Sequence, residues 1–89
     1  MTYPVVLNAT EATALEFANE LERARAKFPV MASAHEGYAV IAEELDELWE
    51  IVKQKQMQRD YAALRKETIQ LGAMVLAFLV EIVDEENRR

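Results

Sequence analysis

Apolar residues recur along the chain at three- and four-residue spacing, and no segment alternates like a strand bounded by turns. With two Gly and two Pro among 89 residues, the pattern predicts an all-α chain of three helices. The first spans about residues 10–28, with Asn8 or Thr10 as N-cap. Its stripe is Ala14, Phe17, Ala18, Leu21, Ala24 and Phe28, and Pro29 ends it. The second opens at Ser33, where Ser33-Ala34-His35-Glu36 spells a capping box, and runs to about residue 56. A polar stretch over 54–60 turns the chain, and Asp60 caps a third helix that lasts to about residue 84, before a charged tail that frays.

Placing residues ~100° apart sorts the faces of each helix. On the second, Tyr38, Ile41, Leu45, Leu48, Trp49 and Val52 form the expected core stripe, while Glu43, Asp46 and Glu50 point to solvent. Glu44 and Glu47 share a flank with Val40, Leu48 and Ile51, which marks them as the inward pair. The third helix carries two apolar stripes: Leu64, Leu71, Val75, Phe78, Leu79 and Ile82 on one side, and Ile69, Leu76, Val80 and Val83 on the other. A helix apolar on both sides is buried on both, so in so short a chain the second side is expected to meet another subunit. Glu67, Gln70, Met74 and Glu81 lie between the stripes. If the second and third helices form an antiparallel hairpin turning near Gln58, Glu44 and Glu47 come level with Gln70 and Glu67. Carboxylates at i and i+3 on facing helices are one way to build a hard-cation site in a bundle.

Composition narrows the field. A hydrophobic content of 52% is high for one small domain and points to burial against other copies. A net charge of −6 argues against nucleic acid or an anionic membrane as the main partner. The absence of cysteine excludes disulfides, thiolate metal sites and a cysteine nucleophile. No signal peptide is visible, and the apolar run over 71–83 is too short to span a bilayer, so a cytoplasmic protein is expected.

Four carboxylates crowd into Glu43-Glu44-Leu45-Asp46-Glu47, an arrangement in which like charges repel at helical spacing. Glu43-Glu44-x-x-Glu47 followed by Glu67-x-x-Gln70 resembles the EExxE…ExxD signature of the MazG-like, all-α nucleoside triphosphate pyrophosphohydrolases. The stretch from Phe28-Pro29 through Ser33-Ala34-His35-Glu36-Gly37-Tyr38-Ala39-Val40-Ile41 is similar to the lead-in of the short, stand-alone members, so the likeness covers residues 28–83. The resemblance implies a three-helix chain that forms a four-helix-bundle core by oligomerisation, as a homodimer or homotetramer. It implies Mg²⁺ (or Mn²⁺) held by Glu44, Glu47, Glu67 and Gln70, with Glu44, Glu47 and Glu67 catalytic. The reaction implied is cleavage of a nucleoside triphosphate between the α- and β-phosphates, giving monophosphate and pyrophosphate in a nucleotide house-cleaning role, with one of the glutamates as base. Gln70 stands where the family has Asp; its carbonyl can coordinate Mg²⁺ but adds no charge. That departure keeps open a member that binds nucleotide without cleaving it, beside a purely structural helical homo-oligomer.

Other residues have plainer readings. Glu81 and Asp84 also spell E-x-x-D, but they fall level with the start of the second helix, where a contact with His35 or Glu36 is expected. His35 suits a first-turn helix position, and Met74 a filler of gaps. Arg25, Lys27, Lys53, Arg65 and Lys66 are available to steer a triphosphate, though no spacing singles one out.

Overall fold

The computed structural model describes residues 6–88, which are mostly helical and contain no strand. Helices α1 (Ala9–Lys27), α2 (Ala34–Val52) and α3 (Tyr61–Phe78) form the body. A 3₁₀ turn, Gln56–Gln58, lies between α2 and α3. Beyond Phe78 the chain continues through a π-helical turn, Leu79–Val83, into the short α4, Asp84–Asn87. Periodicity gave this last segment as regular helix; one wider turn preserves the apolar pattern and so leaves little trace in it.

Local chemistry sets the ends. Asn8, not Thr10, caps α1 in a complete box: its Oδ1 accepts from Glu11 N at 2.8 Å, and Glu11 Oε1 accepts from Asn8 N at 3.2 Å. Ser33 Oγ accepts from Glu36 N at 3.1 Å, but Glu36 reaches back to Ala32 N at 3.3 Å, one residue earlier than a regular box requires. Asp60 Oδ1 accepts from Ala63 N at 3.0 Å and starts α3 as expected. Helix α2 stops four residues short of the expected 56, because Arg59 folds back onto its end. That guanidinium donates to Val52 O at 2.8 and 3.1 Å and to Gln54 O at 3.2 Å, satisfying carbonyls the helix leaves unpaired.

Helix α3 is the centre, packed against both α2 and α1. Gly37 of α2 lies against Phe78 of α3, while Glu44 and Glu47 lie by Glu67, so α2 and α3 run antiparallel. Glu16 pairs with Arg65, Phe17 covers Gly72, and Arg25 pairs with Glu81, so α1 runs parallel to α3. Both glycines mark close approaches. A methyl group on Gly37 would sit 2.6 Å from Phe78 Cδ2 and 2.9 Å from Met31 Sδ, and one on Gly72 would sit 2.9 Å from the Phe17 ring.

The docking face of α2 corrects the expected stripe. Tyr38, Leu45 and Trp49 are 72%, 52% and 58% exposed, while Ile41, Glu44, Leu48 and Ile51 are half-buried on the line through Gly37. The apolar arc of α2 is wide, and the bulk of Trp49 and Tyr38 pulls its apparent centre to one side. Close approach at a residue with no side chain fixes the true contact about 100° away. On α3, Val75 and Leu79 of the first stripe and Val80 and Val83 of the second stay exposed.

Among the described residues only Met31, Ala73 and Ala77 are buried apolar residues, and no large side chain is fully buried. The accessible surface is 7053 Å², whereas a compact monomer of this mass exposes about 5,300 Å². One chain supplies three long helices, so a four-helix bundle of the expected kind needs helices from a second chain.

Candidate metal centre

Helical phase and the antiparallel α2–α3 contact together build one acidic site. Glu44 lies on the line of α2 that faces α3, Glu47 stands one turn further along on the flank, and Glu67 projects from α3. One carboxylate oxygen from each lies within 4.8 Å of the other two. Glu44 and Glu67 are half-buried and Glu47 is exposed, so the cluster has a closed side and an open one. Glu44 Oε2 and Glu67 Oε2 are shielded from solvent and have no hydrogen-bond partner among the described residues.

The site carries an electrostatic cost. Burial, then the charges of Glu47, Glu67, Glu43 and Glu20, raise the Glu44 pKa above the ordinary glutamate range. Burial also raises that of Glu67, followed by proximity to Glu47, with which a protonated Glu67 shares a hydrogen bond; Lys66 pulls the other way. The cluster thus gathers three carboxylates, of which Glu44 and Glu67 each keep one buried oxygen without a donor, and carboxylate oxygens are the donor type that a hard cation takes. Mg²⁺ takes one or two carboxylates and keeps other positions for water or phosphate.

Gln70 lies one turn beyond Glu67 on α3 and is half-buried, as is Met74 one turn further. Glu43, Asp46 and Glu50 are exposed as expected, and Glu50 pairs with Lys53 at 2.8 Å. Glu20 on α1 adds its charge to the environment of Glu44, a contribution sequence reasoning missed. Its position beside Leu21, at the margin of the α1 stripe, was the available signal.

Glu81 has a different partner from the one expected. Its carboxylate accepts from Arg25 Nε and Nη2, both at 2.6 Å, and from Met31 N at 2.9 Å, with no bond to His35 or Glu36. The Arg25 guanidinium and the Met31 amide hold its pKa below the ordinary range against opposing burial. This three-point contact ties the end of α1 and the α1–α2 connection to the π-helical turn. His35 is an exposed first-turn residue of α2. Of the cations considered for substrate steering, Arg25 is held by Glu81, Arg65 by Glu16 and Lys53 by Glu50, while Lys66 acts on the Glu67 carboxylate. No protein-family model matches this chain, and neither the curated proteins nor the solved structures give a match.

Proposed function

We propose that Glu44, Glu47 and Glu67 hold a divalent cation, Mg²⁺ or Mn²⁺, and that the protein hydrolyses nucleoside triphosphates to monophosphate and pyrophosphate. The carrying observation is the convergence of the three carboxylates with two buried oxygens that lack a donor. A bound cation supplies charge neutralisation for a triphosphate. The residues themselves do the rest: Glu44 and Glu67 fix the closed side of the site, and exposed Glu47 borders the side through which substrate enters. Gln70 offers a neutral carbonyl one turn from Glu67, which fits a site of lower charge than the four-carboxylate pattern. The choice of reaction rests on the EExxE…ExxQ arrangement and its likeness to the MazG-like enzymes. The protein works as a cytoplasmic homo-oligomer in this reading; among the described residues, no helix is long and apolar enough to cross a membrane.

The test is pyrophosphate release across a panel of common and modified ribo- and deoxynucleoside triphosphates with Mg²⁺ or Mn²⁺. Turnover is expected in the parent and absent in Glu44→Gln/Glu47→Gln. Equal turnover in that double variant overturns the site. A second reading, a structural helical oligomer whose acids only solvate it, is favoured by the scarcity of buried side chains. It predicts neither turnover nor any change of melting temperature with metal or nucleotide.

A further inference from the structure

Lys66 stands beside the acidic cluster, yet no carboxylate holds it. Arg23, Lys53 and Arg88 each pair with a glutamate three residues earlier, and Arg25 and Arg65 pair across helices. Arg59 donates to backbone carbonyls. Lys66 has no ion pair or hydrogen bond to a side chain among the described residues. Helical neighbours three or four residues away are the natural partners, but those positions hold Ala62, Ala63, Ile69 and Gln70. Glu67 is next in sequence and so projects ~100° around the helix from it. Lys27 and Lys55 are unpaired as well, but neither lies on a helix of the cluster.

Gln70, one turn along α3, is in the same state. Its carboxamide makes no hydrogen bond among the described residues, although two shielded carboxylate oxygens of the cluster lack a donor. We propose that Lys66 and Gln70 form a phosphate-binding edge of the site, donating from Nζ and Nε2 to the pyrophosphate group of a ligand whose oxygens also meet the cluster's cation. The proposal rests on the reading of Glu44, Glu47 and Glu67 as cation ligands, and it gives the neutral residue at position 70 a task of its own.

Shape and charge both favour that ligand. Lys66, Gln70, Ala73 and Ala77 follow at spacings of four, three and four residues, one face of α3. Along it Lys66 is exposed, Gln70 half-buried, and both alanines fully buried. The face is therefore open beside Glu67 and closed beyond Gln70, which sits at the inner limit of a ligand's reach. An ammonium has three N–H donors and no acceptor, and a carboxamide nitrogen has two donors, so the edge suits an anion rich in oxygen. One divalent cation and the Lys66 ammonium together balance the three carboxylates, so an arriving phosphate meets no uncompensated negative charge. Aspartate at position 70 would put one back.

Isothermal titration calorimetry of the full chain in saturating Mg²⁺ tests this, with inorganic pyrophosphate and an α,β-methylene nucleoside triphosphate as the two probes. Lys66→Ala and Gln70→Leu are each expected to weaken binding about tenfold or more, the loss of one hydrogen bond to a charged group. Lys66→Arg is expected to keep the parent's affinity. Mg²⁺ alone, followed by melting temperature, is expected to bind Lys66→Ala no more weakly than the parent, because a neighbouring positive charge has been removed. A residue needed only for folding would not separate the two ligands in this way. Binding of the analogue without pyrophosphate assigns the edge to nucleotides, and binding of pyrophosphate assigns it to that group wherever it occurs. A parent that responds to Mg²⁺ but takes up neither probe overturns the proposal and leaves the metal site standing, as does either variant binding the probes like the parent. A parent with no response to Mg²⁺ overturns the metal site and the proposal with it.

Discussion

Removing one carboxylate from the acidic cluster is expected to stabilise the metal-free protein and to abolish its response to metal, two effects of opposite sign from one substitution. Glu67→Gln is the informative variant, because its like-charged neighbours Glu44 and Glu47 are distant in sequence and separate from it on unfolding. Unit charges at the 4.8 Å limit of the cluster repel by about 0.9 kcal/mol in water and about 3.5 kcal/mol at an effective dielectric constant of 20. Two such pairs give about 2 kcal/mol at the watery limit, which suits a cluster with one exposed member. For a domain of this size, about 2 kcal/mol corresponds to a rise in Tm of about 8–16 °C. The parent should gain stability with Mg²⁺: at ten times Kd, binding to the native state alone adds about 1.4 kcal/mol. Thermal unfolding followed by circular dichroism, in mildly alkaline buffer with chelator and then across a Mg²⁺ series, measures both terms. Glu67→Gln should melt higher than the parent in chelator and show no further rise with Mg²⁺. A variant that melts lower in chelator, or that keeps the full Mg²⁺ response, refutes the reasoning.

The other predictions use the same assay. Gln70→Asp should lower Tm in chelator and strengthen the Mg²⁺ response, because it adds a fourth negative charge beside the site; an unchanged midpoint in the metal titration removes position 70 from the site. Gly37→Ala should destabilise by about 1–2 kcal/mol: overpacking against Phe78 and Met31 outweighs the gain of about 1 kcal/mol in helix propensity. Pairing it with Phe78→Leu should restore part of the loss. Glu81→Gln should cost about 2 kcal/mol by leaving Arg25 without its counter-charge in a mostly enclosed setting, where the two side chains are 11% and 21% exposed. The pH profile follows from the signs. Glu44 and Glu67 titrate above the ordinary range in the folded protein, so the penalty for ionising them is absent below the unfolded value and complete above the folded one; metal-free stability therefore rises on acidification through that window. Glu81 titrates below the ordinary range, so its contribution is intact above the unfolded value and is lost as pH falls through the folded one. A chelator-treated melt series should show a maximum between the two windows, and a monotonic profile contradicts this.

Much of the site was legible because both its requirements are local. Periodicity separated Glu44 from Glu43 and Asp46, and a hairpin turning near Gln58 fixed the register that brings Glu67 level with it; Glu47, expected to point inward with Glu44, is exposed, and only its carboxylate reaches the cluster. Caps at Asn8, Ser33 and Asp60 are decided within a few residues and were equally readable. Which part of a wide apolar arc docks is decided elsewhere. For α2 the answer lay in Gly37, whose missing side chain admits Phe78 from across the fold. Hydrophobicity gives such a position no weight, so the stripe was centred on Trp49 and Tyr38 instead. The Arg25–Glu81 contact spans 56 residues of sequence, and charged residues offer many candidate partners at that range.

The parallel pairing of α1 with α3 has a consequence for the order in which the chain assembles. The α2–α3 hairpin closes over one short turn, so its formation costs little chain entropy. Docking of α1 on α3 instead closes contacts 49 and 56 residues apart, Glu16 with Arg65 and Arg25 with Glu81, at a higher cost in chain entropy. The acidic cluster is therefore expected to form before the first helix docks, with α1 the last element to join and the first to open. Amide protons of α1 should exchange faster than those of α2 and α3, by an amount that shrinks when the Arg25–Glu81 clasp is intact and grows when it is cut.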